Sequence, residues 1–243
     1  MREWMLGGKA AIVTGAGRGI GRAIALALAV SGAQVALAAR TGAELERVRE
    51  EIEARGGCAA VFPADVSEER AASALVQGAA ERFGRLDILV NNAGIGIYGP
   101  LEGFATGDWD RIMAVNARGA FLTCRAAIPY LRQQPISYIV NIASVVAVKG
   151  YANQAAYSAS KHALLGMSKA LAREVQPYGI RVHAICPGGV DTDMAEQARP
   201  DLDRSILIQP EEIADIVLFL VTRQGNAVID QIDVRRATAT PWA

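Results

Sequence analysis

The apolar positions along the chain alternate between two kinds of segment. Short continuous apolar runs, typical of buried strands, occupy residues 10–13, 35–38, 59–62, 88–90, 138–143, 182–186 and 228–234. Between them, apolar residues recur at helical spacing over residues 20–30, 45–54, 71–83, 109–131, 157–175 and 213–221. Apolar strands that alternate with helices predict a parallel sheet covered by helices on both faces.

This alternation predicts an α/β fold, a doubly wound parallel sheet of the Rossmann-like kind. Right-handed crossovers then place a ligand crevice at the carboxyl ends of the strands. No linker, repeat or low-complexity tract divides the 243 residues, and a hydrophobic content of 51% suffices for one large core. We therefore expect a single domain over residues 1–243.

The balance of charge narrows the classes of partner. The chain has 25 basic and 25 acidic residues, so no net charge favours nucleic acid or an anionic membrane surface. Its start has no long apolar region, and no later stretch is apolar over a membrane-spanning length. We expect a cytoplasmic protein that acts on a small molecule, without nucleic acid or membrane as partner.

The cysteines and histidines predict no metal site. Cys58, Cys124 and Cys186 are widely spaced within predicted elements, so we expect buried thiols with no disulfide or metal role. His162 and His183 are separated in the same way, and we expect structural roles for both.

A glycine-rich turn follows the first predicted strand and opens the first helix. It reads Gly15-Ala-Gly-Arg-Gly-Ile-Gly21 after Thr14. Glycines let a backbone approach a pyrophosphate, and free N–H groups at a helix start attract anions. A glycine pattern alone is weak, but its place between strand and helix predicts a phosphate-binding site.

Three polar residues further along the chain suit hydride-transfer chemistry. Tyr157 and Lys161 lie four positions apart on a predicted helix and share a face, while Ser144 follows a predicted strand. The serine would polarise a substrate oxygen, the tyrosine would pass a proton, and the lysine would stabilise the tyrosinate and bind the nicotinamide ribose. Activity near neutrality requires lowering the tyrosine pKa by about 3 units, roughly 4 kcal/mol.

These motifs together resemble the single-domain short-chain dehydrogenases/reductases, which include 3-oxoacyl carrier-protein reductases and carbonyl reductases. The likeness extends over residues 6–221 in family order, through Thr14–Gly21, Asp65-Val66, Asn91-Asn-Ala-Gly94, Asn116, Ser144, Tyr157-Ser-Ala-Ser-Lys161 and Pro187-Gly188. It implies a catalytic tetrad of Asn116, Ser144, Tyr157 and Lys161. The resemblance further implies that Asn116 interrupts a helix and holds a water that links Lys161 to solvent.

The resemblance also implies the contacts of a nicotinamide dinucleotide. Asp65 would bind the adenine amino group, and residues 187–192 would hold the carboxamide edge of the nicotinamide. The expected cofactor contacts are Gly15, Gly17, Arg18, Gly19, Ile20, Gly21, Arg40, Asp65, Val66, Asn92, Ala93, Gly94, Tyr157, Lys161, Pro187, Gly188, Val190 and Thr192.

The end of the second predicted strand indicates NADP(H) rather than NAD(H). An acidic residue there would bind the ribose 2′-hydroxyl of NAD and repel a 2′-phosphate. The chain has Ala39 and then Arg40, and we expect Arg18 to project toward the same corner. Two guanidinium groups can bind a phosphate through charge-assisted hydrogen bonds.

The substrate region departs from the family pattern. Residues 194–209 are short for a lid, which predicts an open site, and the C-terminus ends in Arg235-Arg236 and a short tail. Pro135 and Tyr178 occupy the positions where carrier-protein reductases have basic residues. We expect an apolar pocket with few fixed charges, lined by Ile95, Ile97, Tyr98, Val146, Val148, Tyr151 and Met194.

We therefore expect an NADP-dependent reductase of small or medium uncharged ketones or aldehydes. A catalytically silent protein that senses NADP, and a 3-oxoacyl-thioester reductase, remain alternatives; an epimerase or dehydratase fits poorly. The segments 109–131 and 157–175 carry many apolar residues, so we also expect a homodimer or a homotetramer through these helices.

Overall fold

The computed structural model describes residues 5–198 and 203–241, so expectations that concern residues 1–4, 199–202 and 242–243 lie outside the described residues. The strands are β1 (Ala10–Thr14), β2 (Gln34–Ala39), β3 (Cys58–Pro63), β4 (Ile88–Asn91), β5 (Ser137–Ile142), β6 (Ile180–Pro187) and β7 (Gln231–Val234). The α-helices are α1 (Gly19–Val30), α2 (Gly42–Ala54), α3 (Glu69–Phe83), α4 (Thr106–Met113), α5 (Gly119–Leu131), α6 (Ala155–Val175), α7 (Asp193–Ala198) and α8 (Pro210–Val221).

The order of the strands confirms the doubly wound sheet. It is β3-β2-β1-β4-β5-β6-β7 in the described part of the chain, with every neighbouring pair parallel. Strands β2 and β3 lie in order on one side of β1. Strand β4 lies on the other side of β1 and is followed in order by β5, β6 and β7. The reversal between β1 and β4 leaves a crevice at the carboxyl ends of the strands, where ligands bind in folds of this kind.

Helices cover both faces of this sheet. Along β1, Ala11 and Val13 point into a core shared with α1, α2 and α8. Ile12, which points the opposite way, packs in a second core with α3, α5 and α6. The alternation follows from the two-residue period of a strand and explains why the strands are apolar throughout.

The long helix expected over residues 109–131 is interrupted. It begins as α4, passes through a π-helical turn at Ala114–Arg118, and continues as α5. Asn116 lies within the turn and is only 1% exposed. Single π-turns inside helices are frequent at functional sites because they redirect side chains.

Two expectations about the edges of the sheet are wrong. Cys58 is exposed, because it begins the edge strand β3, whereas Cys124 and Cys186 are buried as expected. The last strand begins at Gln231 rather than at residue 228, and the apolar Val228 and Ile229 before it are exposed. Apolar character alone does not distinguish a strand from an exposed edge segment.

Candidate active site

A cleft of about 860 Å³ opens at the carboxyl ends of the strands. It is lined by all the expected cofactor contacts except Gly21, and by Ser144, Tyr157 and Lys161. Gly21 and Asn116 lie outside its wall. The sequence motifs, which are spread over most of the chain, are therefore assembled in one place, with two residues in supporting positions behind it.

The glycine-rich turn is held open by its neighbours. Asn92 donates its side-chain amide to the carbonyl oxygens of Thr14 and Gly15 at 3.0 and 3.2 Å. Gly15 has a φ of +65°, in the left-handed region that favours glycine. A Cβ on Gly21 would lie 2.1 Å from the Gly15 carbonyl oxygen, so helix and turn can approach this closely only with glycine there.

The start of α1 offers unused hydrogen-bond donors. Arg18 occupies the N-cap position, and no side chain caps the helix. The first N–H groups of a helix lack partners within it and attract anions. The open turn and the uncapped helix together fit a dinucleotide pyrophosphate.

Arg40 and Asp65 lie together at the far end of the cleft. Burial raises the pKa of Asp65, but hydrogen bonds from Ser67 and the positive charges of Arg40 and Arg111 outweigh this effect, and its pKa lies below the ordinary value. Asp65 is therefore ionised at neutral pH and able to accept hydrogen bonds. The positions of both residues fit the adenosine part of a dinucleotide.

Arg18 was expected to project toward the same corner as Arg40, but its side chain pairs with an acidic residue instead. Its guanidinium donates to the Asp193 carboxylate on α7 at 2.8 Å, across the mouth of the cleft. Both side chains are largely exposed, and exposed ion pairs contribute only about 0–1 kcal/mol. A phosphate could therefore compete with Asp193 for this arginine.

Glu44 is a cleft residue that the sequence analysis missed. Its carboxylate oxygen lies 2.9 Å from the position that a Cβ on Gly17 would take. An acidic group beneath the glycine-rich turn partly offsets the positive charges of Arg18 and Arg40. Its place in the first turn of α2 gave no local signal in the sequence.

Ser144 projects its hydroxyl into the cleft just beyond β5. Its backbone is extended, and its hydroxyl accepts a hydrogen bond from the backbone N–H of Val146 at 3.3 Å. The hydroxyl also lies 3.5 Å from the carbonyl oxygen of Pro187, at the end of β6. Two neighbouring strands thus fix its position.

Tyr157 and Lys161 lie one turn apart near the start of α6, and both are buried. The Lys161 ammonium donates to the carbonyl oxygen of Ile142 at 2.9 Å and lies 5.9 Å from the centre of the Tyr157 ring. Because β5 ends at Ile142, this bond ties the helix to the strand that precedes Ser144. The expected grouping of serine, tyrosine and lysine is present.

Burial shifts the pKa values of Tyr157 and Lys161 in the directions that favour the neutral side chains. It raises the pKa of Tyr157 to about 12, although the Ser144 hydroxyl acts in the opposite direction. It lowers the pKa of Lys161 to about 8. In the protein alone, desolvation therefore outweighs the hydrogen bond with Ser144, and the lowered tyrosine pKa that activity near neutrality requires stays a prediction for the protein with its cofactor bound.

Asn116 lies outside the cleft and is connected to the helix of Tyr157 and Lys161 by hydrogen bonds. It accepts a hydrogen bond from the Ile95 N–H at 2.8 Å and donates to the Ile95 carbonyl and to the Ser160 hydroxyl at 2.9 and 3.0 Å. Ser160 in turn donates to the backbone carbonyl of Tyr157 at 2.7 Å. Ser160 was not predicted, although its spacing of three from Tyr157 places it on the same side of the helix.

A short helix covers the tyrosine, so the expectation of an open site is wrong here. The sulfur of Met194 on α7 lies 3.8 Å from the Tyr157 hydroxyl, and the Tyr98 ring meets that of Tyr157 edge-on at 5.7 Å. The helix begins at Asp193, whose carboxylate pairs with Arg18. These apolar groups exclude water from the reacting end of the cleft.

The expected apolar pocket is only partly correct. Val148 is exposed and lies outside the cleft, while the other six residues line it. The expectation of few fixed charges is wrong, because the lining also includes Lys149, Arg204, Arg235 and Arg236. The last two reach the cleft because the tail after β7 passes beside Gly188, whose N–H donates to the Val234 carbonyl at 2.7 Å.

The histidines and the carrier-protein positions lie away from the cleft. His162 is exposed, and His183 is buried in β6 with its Nδ1 2.6 Å from the carbonyl oxygen of Ile229. Pro135 and Tyr178 are exposed beyond the opposite ends of the strands. Within residues 5–198 and 203–241, no three His, Cys, Asp or Glu side chains are grouped to hold a metal ion.

Comparison with known proteins places the chain in a family. The sequence model of a family described as short chain dehydrogenase matches residues 9–203. The chain belongs to the short-chain dehydrogenase family. The resemblance on which the sequence analysis rested is therefore confirmed, and so is the Rossmann-like fold.

Several known proteins are similar to this chain over nearly its whole length. Levodione reductase of Leifsonia aquatica is 35% identical, over 94% of this chain and 94% of that protein. The 3-oxoacyl-[acyl-carrier-protein] reductase of Thermotoga maritima is 34% identical, over 93% and 96%. A metagenomic short-chain oxidoreductase solved in complex with NADP superposes with a TM-score of 0.85 at 37% identity, over 96% of this chain and 99% of that one.

No helix in the described part of this short-chain dehydrogenase has the length and apolar character needed to cross a membrane.

Proposed function

We propose that this short-chain dehydrogenase is an NADP(H)-dependent carbonyl reductase or alcohol dehydrogenase that acts on small or medium carbonyl compounds. A single observation carries the proposal: Ser144, Tyr157 and Lys161 meet at the covered end of a cleft whose other end fits a dinucleotide. One domain then carries both the cofactor site and the substrate site.

The proposed chemistry assigns each side chain one task. When bound, the nicotinamide exchanges a hydride with the substrate carbon. Ser144 holds the carbonyl oxygen by donating a hydrogen bond, and Tyr157 gives its proton to that oxygen as negative charge develops. Lys161 stabilises the tyrosinate that remains and binds the nicotinamide ribose.

Other residues around the cleft hold Tyr157, Lys161 and the cofactor in position. Asn116 fixes the backbone at Ile95 on one side and Ser160 on the other, so it positions α6 relative to the loop after β4. We assign it to the catalytic tetrad from the resemblance to the family, which also implies that Asn116 holds a water linking Lys161 to solvent. The uncapped start of α1 suits the pyrophosphate, and residues 187–192 suit the carboxamide.

The cofactor preference rests on charge at the end of β2. Ala39 offers no acid to a ribose 2′-hydroxyl, and Arg40 lies in the cleft near enough to lower the pKa of Asp65. An NADP complex of a relative that is 37% identical supports the same choice. We propose that NADP(H) is preferred over NAD(H).

Replacing Ser144 with alanine is expected to lower kcat about 100-fold, because the substrate oxygen loses one of its two hydrogen-bond donors. Steady-state kinetics with NADPH and a reducible ketone measure the loss. Ser160→Ala, which removes a hydroxyl that points at the Tyr157 backbone instead, is the matched control and should lose less. A Ser144→Ala enzyme as active as wild type would remove this residue from the proposed mechanism.

The affinity for NADPH is expected to fall as the pH rises through about 8. Burial lowers the pKa of Lys161 to about 8, so its ammonium is present below that pH and is lost above it. Fluorescence titration of NADPH binding from neutral to alkaline pH tests this. Lys161→Met should bind weakly with no such step. A decrease that begins only near the ordinary lysine pKa of ~10.4 would contradict the role of the buried ammonium.

Two other functions remain to be separated from this proposal. A silent NADP sensor would not need Tyr157 and Lys161 together, and the exposed Pro135 and Tyr178 give a carrier protein no charge to dock on. Purified protein should oxidise NADPH with at least one diketone, 3-oxo ester or aldehyde in a panel. Oxidation with a 3-oxoacyl thioester alone would favour the thioester reductase, and oxidation with no carbonyl compound would favour the sensor.

We also propose a homodimer, or a homotetramer of 222 symmetry, through α5 and α6. From the sequence, the apolar residues of these helices were expected to need a partner subunit to cover them. That expectation is wrong for Leu122, Leu164, Leu165 and Leu171, which are already buried within the single chain. Phe121 remains 46% exposed on α5, and Ala163 is exposed on α6.

We place the protein in the cytoplasm, which free cysteines favour.

Light scattering is expected to give two or four times the chain mass of 25.7 kDa. An arginine in the interface would be buried against apolar side chains, so Ala163→Arg should yield monomers. Ala74→Arg makes the same change at an exposed position on α3 and should leave the mass unaltered. A wild-type monomer at micromolar concentration would end this proposal.

A further inference from the structure

The tail after β7 is anchored beside the serine end of the cleft. The Gly188 N–H donates to the Val234 carbonyl at 2.7 Å, and Pro187, the residue before it, lies 3.5 Å from the Ser144 hydroxyl. The Arg236 side chain passes over Gly189, where an added Cβ would lie 3.6 Å from its Cδ and 3.8 Å from its Nε. The arginine side chain therefore lies against the backbone at residue 189 at about van der Waals distance.

Arg235 and Arg236 have different surroundings. Arg235 is exposed, and its guanidinium donates to the carbonyl oxygens of Arg236, Ala237 and Ala239 at 3.1, 3.2 and 3.1 Å. These bonds hold the tail in a turn. Arg236 is half-buried, lines the cleft and makes no ion pair with any residue in 5–198 or 203–241. Among the described residues, no acidic side chain neutralises its charge.

Lys149 is a second cation of this kind. It follows the short helical segment after Ser144, is half-buried, lines the same cleft and is without an ion pair among the described residues. Two acids that line the same cleft have their own partners in this structure, since Asp191 pairs with Arg204 at 2.7 Å and Asp193 with Arg18 at 2.8 Å. Glu211 also lines the cleft, but it is exposed at the start of α8.

We propose that Arg236, with Lys149 as a second cation on the wall of the same cleft, binds an anionic group in an anion subsite, and that the substrate is a carbonyl compound bearing a carboxylate or a phosphate. The inference rests on the proposed carbonyl reduction and specifies its substrate class. A guanidinium binds either group through paired hydrogen bonds, and partial burial strengthens the attraction because less water competes. The anionic group sits on Arg236 while Ser144 and Tyr157 hold the carbonyl oxygen.

Matched substrate pairs test the subsite. Levulinate and acetoacetate are compared with their methyl esters, and dihydroxyacetone phosphate with dihydroxyacetone, by kcat/KM under saturating NADPH. The wild type should prefer the charged member of one pair by roughly 10- to 100-fold, as expected for one charge-assisted contact. The pair that shows the preference identifies the group as carboxylate or phosphate. Equal turnover of charged and uncharged members in all pairs overturns the proposal.

Variants separate the subsite from general effects of charge. Arg236→Gln should bring the preference close to unity, and Lys149→Gln should reduce it in part. Arg132→Gln and Lys169→Gln remove the same charges from exposed positions outside the cleft and should leave the preference as it was. The Kd of NADPH is measured for each variant. An equal loss of NADPH affinity in Arg236→Gln would mean that the arginine serves the cofactor, and would overturn the proposal.

A binding experiment remains decisive if no compound is reduced, in which case the proposed function itself fails. Calorimetry then follows levulinate and inorganic phosphate titrated into the NADP⁺-saturated protein. Binding that disappears in Arg236→Gln but persists in Arg132→Gln upholds the anion subsite. The absence of binding to the wild type overturns it.

Discussion

Replacing Tyr157 with phenylalanine is expected to lower kcat by a factor on the order of 10³ or more, because the proton donor and one partner of the substrate oxygen are removed together. The fold and NADPH binding should be retained. The ring keeps its edge-on contact with Tyr98 at 5.7 Å, and among the described residues the hydroxyl lies near the Met194 sulfur, at 3.8 Å, and the Ser144 hydroxyl. Circular dichroism and NADPH titration check the first point, and steady-state kinetics the second.

Tyr98→Phe is the matched control for this variant. It removes a phenol hydroxyl from the neighbouring ring in the same cleft and should lose much less activity. If Tyr157→Phe kept kcat within about tenfold of wild type, another group would deliver the proton. A loss confined to Tyr98→Phe would identify that group.

NADPH is expected to be favoured over NADH by about 10- to 1,000-fold in kcat/KM, if each guanidinium contact to the 2′-phosphate contributes roughly 1–2 kcal/mol. Ala39→Asp combined with Arg40→Leu should reverse the preference and leave kcat nearly unchanged. The aspartate would accept a hydrogen bond from a ribose hydroxyl and repel a phosphate. Both residues lie at the end of β2, remote from Ser144 and Tyr157 along the cleft.

The contribution of each arginine can be measured separately. Arg18 is held by Asp193 at 2.8 Å, so Asp193→Asn should release it and increase the preference for NADPH. Arg132→Leu removes an exposed arginine outside the cleft and serves as the control. Equal kcat/KM for the two cofactors in the wild type would contradict the assignment to NADP(H).

Local patterns along the chain were enough to predict the sheet and its crevice, whereas most of the expected cofactor contacts came from the resemblance to the family. Strands buried on both faces are apolar throughout, so β1 and β4 to β6 stand out from their sequence. Once parallel strands are accepted, their carboxyl ends meet at one edge, which places the glycine-rich turn and Ser144 along the same crevice. The helix that carries Tyr157 and Lys161 follows from the apolar spacing over residues 157–175, whereas the roles of Asp65 and Asn116 came only from the resemblance to the family.

Contacts between distant segments were beyond these patterns. Lys149 and Arg236 lie 87 positions apart in sequence, and nothing local shows that the tail returns to Gly188. The ion pair between Arg18 and Asp193, which helps to close α7 over the cleft, is of the same kind. The raised pKa of Tyr157 also depends on burial by several elements at once, which a single sequence does not report.

Deuterium transfer from NADPH that carries deuterium at both hydrogen positions of the reactive nicotinamide carbon tests the central claim most directly. The purified protein is incubated with labelled NADPH and the carbonyl compound that the panel finds best, and the product is examined by mass spectrometry and NMR. The account predicts one deuterium on the new carbinol carbon in the wild type, and a rate reduced by about three orders of magnitude in Tyr157→Phe. A product without deuterium, or unconsumed NADPH with every compound of the panel, would contradict it.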